Sequence, residues 1–187
     1  MEYVLGFLPW ITFGVVSSLA DWRAGVFAAL IVQALLAVSL KRRNQLDVLS
    51  IGTLAFFGAM SAIALVSPHS SVHRWLAALS AGTLGAIAVT SLVVGQPFTL
   101  AIAKRSAPKT LWDHPEFIRM NRFISSVWAS SFVVLAVCSA VLIGLVRNDS
   151  APLVIVNAAA VGIAFYITRR TIKRAQARAA AAGLMQP

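Results

Sequence analysis

Six apolar runs follow one another along the chain, with short polar breaks between them. As helices, most of these runs approach or exceed the roughly 20 residues that span a hydrocarbon core about 30 Å thick. The pattern predicts an all-α, polytopic integral membrane protein with six transmembrane helices in one domain, residues 1–187. The approximate spans are 3–20, 24–40, 48–67, 75–94, 115–146 and 151–168.

The breaks define how the spans connect. Asp21-Trp22-Arg23 is so short that it predicts a tight helical hairpin, with Trp22 at the lipid interface. Lys41 to Asn44 place three adjacent cations after the second span, and hydrocarbon excludes them. Pro68 ends the third span, and a short polar loop follows it. A basic tail, 169–187, follows the sixth.

The longest interruption, residues 95–114, separates the fourth and fifth spans and contains Pro97 and Pro108. Residues 98–106 begin apolar and then carry Lys104 and Arg105, which predicts a short helix in the cytoplasmic interface with its cations toward lipid headgroups. A fifth helix over 115–146 exceeds the hydrocarbon thickness. Its first two turns, with Arg119, Asn121 and Arg122, are therefore expected to project out of the bilayer.

Charge and composition orient this arrangement. The chain is 59% hydrophobic and 12% charged, with a formal net charge of +10. Because the basic residues fall between and after apolar runs, they indicate lipid headgroups rather than nucleic acid as the partner. Thirteen of the sixteen Lys and Arg residues fall on one side of a six-span arrangement. The positive-inside rule then places both termini in the cytoplasm.

Two groups of residues are singled out as candidates. For contact with anionic headgroups or with a membrane partner these are Lys104, Arg105, Trp112, Arg119 and Arg122. For structural polar roles they are Asp21, Arg23, Gln33, Asn121 and Asn157. Asp21 and Arg23 form a solvated turn, an ion pair that pins the hairpin, or a functional site. Gln33 and Asn157 lie within spans, where a buried amide needs a partner across helices.

Small residues recur every four positions in the fourth, fifth and sixth spans. Examples are Ala78, Gly82 and Ala86, then Ala136, Ala140 and Gly144, then Ala158 and Gly162. Such spacing allows helix backbones to approach closely. It predicts packing within the chain or, as the alternative, a homodimer face.

No catalytic, cofactor or metal site is predicted. His69 and His73 have an i,i+4 spacing but no neighbouring carboxylate, and His114 is expected on the opposite side of the membrane. Cys138 is the single cysteine and lies in an apolar run. Because no ionisable residue lies centrally in a span, a proton-coupled pump is disfavoured. We expect the chain not to be an enzyme.

The order of several features resembles the bacterial intracellular septation protein A family, over nearly the whole chain at low identity. They are Phe7-Leu8-Pro9 with Phe13, Asp21 before an alanine-rich span, a basic loop, Trp75, Pro97 and the stretch 112–128. Gln96 departs from the basic residue that commonly precedes the family's proline. The resemblance implies a small inner-membrane protein of septation, cell-envelope integrity or membrane homeostasis.

The leading hypothesis is accordingly a non-catalytic protein of the bacterial inner membrane that binds lipids or other envelope or division membrane proteins. The alternative is a small transporter, channel or lipid-handling protein, with Gln33 and Asn157 along a path. A membrane enzyme is a third hypothesis, and it would require a cavity with convergent polar groups.

Overall fold

The computed structural model describes residues 2–105, 107–145 and 151–181. Within these ranges the chain forms α-helices joined by short connections, and it contains no strand. The helices are α1 Glu2–Leu19, α2 Trp22–Arg42, α3 Val48–Val66, α4 Leu76–Val93, α5 Phe98–Lys104, α6 Pro115–Leu145 and α7 Ala151–Ala181. Two 3₁₀ turns, Ser71–Trp75 and Lys109–Leu111, precede α4 and α6.

Four of the described helices are long and apolar enough to cross a membrane. They are α2, α3, the unit Ser71–Val93 that includes α4, and α6, while Leu5–Leu19 of α1 forms a shorter apolar helix. The prediction of an all-helical chain of membrane character is confirmed at this level. The count of six spans stays a prediction.

Two helices extend past the apolar runs that predicted them. α2 continues through Lys41 and Arg42, because cations in a last turn interact favourably with the helix dipole. The chain then reverses at Asn44, whose φ of 55° is left-handed. α7 continues into the basic tail as far as Ala181. The polar break predicted at 147–150 lies outside the described residues.

The small-residue positions support close packing within the chain. On α4, a Cβ added at Gly85 would lie 3.4 Å from Val133 Cγ2 on α6, and one added at Gly82 would lie 3.8 Å from Ala136. In the α1–α2 hairpin, a Cβ at Gly25 would lie 1.9 Å from Ser17 Oγ and 3.1 Å from the Phe13 carbonyl oxygen, so a larger residue there would require Ser17 to move. Ala158 and Gly162 of α7 are exposed. The homodimer face stays a prediction.

An aromatic cluster joins α1, α3 and α6. Trp10 packs on Phe57 with ring centroids 4.8 Å apart, and its indole N–H donates to Thr53 Oγ1 at 3.1 Å. Phe7 stacks on Trp128 at 5.5 Å. The aromatic rings of α1 therefore contact both α3 and α6.

The short helix α5 is buried in the bundle, and the prediction that it lies in the lipid interface is wrong. Phe98, Thr99 and Ile102 are at most 2% exposed. Side-chain hydroxyls replace the missing hydrogen-bond partners of its first turn: Ser91 Oγ accepts from Phe98 N at 3.1 Å, and Ser125 Oγ accepts from Thr99 N at 3.3 Å. These bonds allow a helix end to enter an apolar interior.

Thr99 also ties α5 to α6 at Asn121. Its Oγ1 donates to the Asn121 carbonyl at 2.8 Å, and Asn121 is fully buried. Asn121 is therefore covered by protein, and the expectation that the first turns of α6 project from the bilayer stays a prediction. Those turns are covered by α5 on the Asn121 face and exposed at Arg119 and Arg122.

The helix ends form two groups. Gly6 of α1 lies beside Ile102 of α5 and Leu49 of α3, so the start of α1, the 43–47 connection and α5 meet at one end.

A hydrogen bond of 3.0 Å from the Trp128 indole to Thr168 Oγ1 pairs α6 and α7 as an antiparallel hairpin. The basic turns after Thr168 therefore run beside the start of α6 at that same end. At the other end, Trp22 stacks on His73 at 6.4 Å. We call the first group the basic end.

Candidate functional site

A buried ion pair between Asp47 and Arg105 lies at the basic end. Asp47 immediately precedes α3, and Arg105 immediately follows α5. Their side chains are 7% and 9% exposed, respectively. Arg105 was predicted to contact lipid headgroups or a membrane partner; its guanidinium turns inward onto the Asp47 carboxylate, and the predicted contact stays a prediction.

Asp47 uses its two oxygens for two tasks. Oδ1 accepts a hydrogen bond of 2.7 Å from Ser50 N and so caps α3, while Oδ2 accepts from Arg105 Nη2. An aspartate at the N-cap satisfies a backbone N–H that the helix leaves unpaired. The ion pair thus connects the start of α3 to the end of α5.

Gln33 completes a polar layer beside the ion pair. It is 2% exposed, and its Nε2 donates to the Ser50 carbonyl at 2.8 Å. This bond confirms the expectation that the Gln33 amide bonds across helices. The bond also places Gln33 of α2 beside the first turn of α3. The rest of α2, from Gln33 to Arg42, therefore extends about 13 Å beyond the start of α3 toward the basic end.

Two cavities flank the ion pair. The first, of about 200 Å³, is partly open and lies between α1, α2, α3 and Arg105. Its polar lining residues are Gln33, Ser39, Arg43, Gln45, Ser50 and Arg105. The second, of about 180 Å³, is lined by Gln45, Asp47, Lys104 and Trp112 among others. Arg105 and Gln45 line both cavities.

Of the remaining predicted contact residues, Lys104 and Trp112 line the second cavity, whereas Arg119 and Arg122 lie on the exposed face of α6. Lys104 Nζ lies 5.4 Å from the centroid of the Trp112 ring, a cation–π contact, and the Trp112 indole donates to the Ala107 carbonyl at 3.1 Å. Arg119 and Arg122 are exposed, and Arg119 pairs with Glu116 at 3.2 Å. Trp112 is half-buried by its contacts with the chain itself.

The other predicted structural residues lie elsewhere. Asp21 and Arg23 pair at 3.3 Å in an exposed turn at the opposite end. The Ala24 backbone N–H and then the Arg23 guanidinium lower the pKa of the Asp21 carboxyl. Asp21 therefore serves as the N-cap of α2 in a solvated turn, and it is far from the basic end. Asn157 is half-buried on α7.

Sequence reasoning missed Asp47 and Gln45 as members of this site. In the sequence, Asp47 lies in the short linker between the second and third predicted spans. A signal was present, because Asp47 and Arg105 were both expected on the cytoplasmic side and each borders an apolar segment. The 58 positions between them hide their contact from any local pattern.

Comparisons with protein-family models, with curated proteins and with solved structures find no match to this chain. Among the described residues, no group of three His, Cys, Asp or Glu side chains could hold a metal ion. The site is therefore interpreted from its own geometry. The site consists of the Asp47–Arg105 ion pair and of hydrogen-bond donors that line the partly open first cavity.

Proposed function

We propose that this chain is a non-catalytic protein of the bacterial inner membrane, with both termini in the cytoplasm. It acts in septation, cell-envelope integrity or membrane homeostasis by binding anionic lipids or other membrane proteins. The resemblance in residue order supports the cellular role, and the basic end supports the mode of binding.

The observation that carries the proposal is the concentration of exposed cations at the basic end. Besides Arg119 and Arg122, these include Lys41, Arg42, Arg43, Arg169, Arg170, Lys173 and Arg174. A basic residue close to an anionic membrane surface contributes about 1 kcal/mol to attraction. These cations lie on three separate elements, so together they suit an extended anionic surface.

Photo-crosslinking in intact cells tests this proposal. We place the probe at Leu111, which is 40% exposed beside the cation–π pair and leaves the packing of Trp112 intact. We expect a discrete protein adduct, or an excess of anionic over zwitterionic lipid adducts, because the probe lies among the exposed cations. The adducts are identified by mass spectrometry.

The matched control is the same probe at Leu79, which is also 40% exposed but lies near the start of α4, at the opposite end. Identical lipid ratios at both positions, with no protein adduct at Leu111, would contradict the proposal. A protein adduct from the division machinery would favour the septation role over general envelope maintenance.

The cavity beside Gln33 favours a second candidate, a small transporter, channel or lipid-handling protein. The polar residues that line this cavity extend along α2 from Arg43 at the basic end to Gln33 near the middle of the helix. Movement of lipid or solute in reconstituted liposomes, lost on replacing Gln33 by leucine, would support this candidate over the binding protein.

A further inference from the structure

The first cavity at the basic end carries an arrangement of donors that the ion pair does not use. Arg105 Nε is buried and has no hydrogen-bond partner among the described residues, although Arg105 Nη2 pairs with Asp47. A buried N–H without an acceptor costs about 1–3 kcal/mol. An acceptor supplied by a ligand would remove that cost.

The other polar side chains around this cavity are also rich in donors. Gln33 Nε2 spends one of its two protons on the Ser50 carbonyl, which leaves the other for a ligand. Arg43, Ser39 and Gln45 add a cation, a hydroxyl and an amide. The nearby carboxylate, Asp47, lines the second cavity and is already occupied by Ser50 N and Arg105. The first cavity is therefore suited to an anion.

The apolar wall of this cavity distinguishes a lipid from a soluble anion. Leu5, Leu36 and Leu40 lie in the lining together with the donors. On the outer face of α2, Ile31, Leu35 and Val38 are 52–68% exposed, as expected of a surface that meets acyl chains. A molecule with a phosphate at one end and hydrocarbon at the other matches the mixed polar and apolar lining of this cavity.

We propose that this cavity binds the phosphate group of one anionic membrane lipid, between α1 and α2, with the Arg105 guanidinium and Arg43 as its main donors. Arginine suits this role because its guanidinium presents several planar donors to phosphate oxygens. This inference rests on the proposed function and refines it from a charged surface to a single built site.

Native mass spectrometry of the detergent-purified chain tests the site. Three probes are compared: phosphatidylglycerol, diacylglycerol with the same acyl chains, and inorganic phosphate. We expect one phosphatidylglycerol to remain bound, at least about tenfold more tightly than diacylglycerol, because charge-assisted hydrogen bonds to phosphate are lost without the headgroup. Inorganic phosphate is expected to compete poorly because it lacks the apolar contacts.

The variants separate the site from general charge. Arg43→Gln is expected to weaken binding about tenfold. Arg105→Lys, which keeps a cation for Asp47 but removes the planar guanidinium donors, should do the same. Arg42→Gln is the matched control: it removes the same charge from the same exposed turn but does not line the cavity. Because Arg42 still belongs to the exposed cations of the basic end, we expect a small loss of binding, well below that of Arg43→Gln.

Equal weakening by Arg42→Gln and Arg43→Gln would overturn the built site while leaving the proposed function intact. Inorganic phosphate that displaces the lipid completely would overturn the assignment to a lipid. Parent protein that holds phosphatidylglycerol no better than diacylglycerol would overturn both the site and the lipid-binding part of the proposed function.

Discussion

Replacing Asp47 by serine is expected to lower the free energy of unfolding by about 3–5 kcal/mol, because it leaves the Arg105 cation buried without its partner. Serine can still cap α3 through its hydroxyl, so this change isolates the ion pair from the cap. Asp47→Ala removes both and should cost about 1 kcal/mol more. The measurement is denaturant-induced unfolding in detergent, followed by tryptophan fluorescence.

Two comparisons give this prediction its controls. Asp21→Ala removes an aspartate that likewise caps a helix and pairs with an arginine, but that pair is exposed, so a much smaller loss is expected. The double variant Asp47→Ser with Arg105→Met removes both charges and should recover much of the stability lost in the single variant. Equal losses for Asp47→Ser and for Asp21→Ala would contradict a buried pair.

Phe57→Ala is expected to cost about 3–5 kcal/mol of unfolding free energy, because the ring fills the middle of the aromatic cluster. Phe57 is 0% exposed and contacts Trp10, Phe13 and Phe56, with ring centroids 4.8–5.6 Å away. Truncation leaves a cavity between α1 and α3, and these helices cannot fill it without shifting their packing. The same unfolding experiment measures the effect.

Phe123→Ala serves as the matched control, since Phe123 is 52% exposed on α6 and its ring is mostly free of the core. It should change stability much less. Phe57→Leu, which keeps more of the volume, should lie between the parent and Phe57→Ala. If the exposed and buried substitutions cost the same, the Phe57 ring would not hold α1 against α3.

The helices of this chain were predictable because apolar run length is a local property. α3 begins at the predicted Val48, and α6 at the predicted Pro115, since Asp47 and the 113–115 segment carry capping residues and a proline at the first helical position. The hairpin between α1 and α2 was likewise expected from its three-residue break.

The basic end was not predictable in the same way. α5 enters the bundle because hydroxyls of Ser91 and Ser125, on two different helices, satisfy its first turn. Its short apolar stretch followed by cations reads equally well as an interfacial helix. Once α5 is buried, Arg105 must find an anion, and Asp47 supplies it from a distant part of the sequence. Only the packed structure decides between these outcomes.

We propose that the basic segments gather on one, cytoplasmic side of the membrane. Single cysteines at Arg42 and Leu111, and at Arg23 and Ser71, in a Cys138→Ala background, test this topology with a membrane-impermeant maleimide on intact cells. We expect labelling at positions 23 and 71 from outside, and at positions 42 and 111 only after the membrane is opened. Labelling of either position 42 or position 111 from outside, comparable to that at position 23, would contradict it.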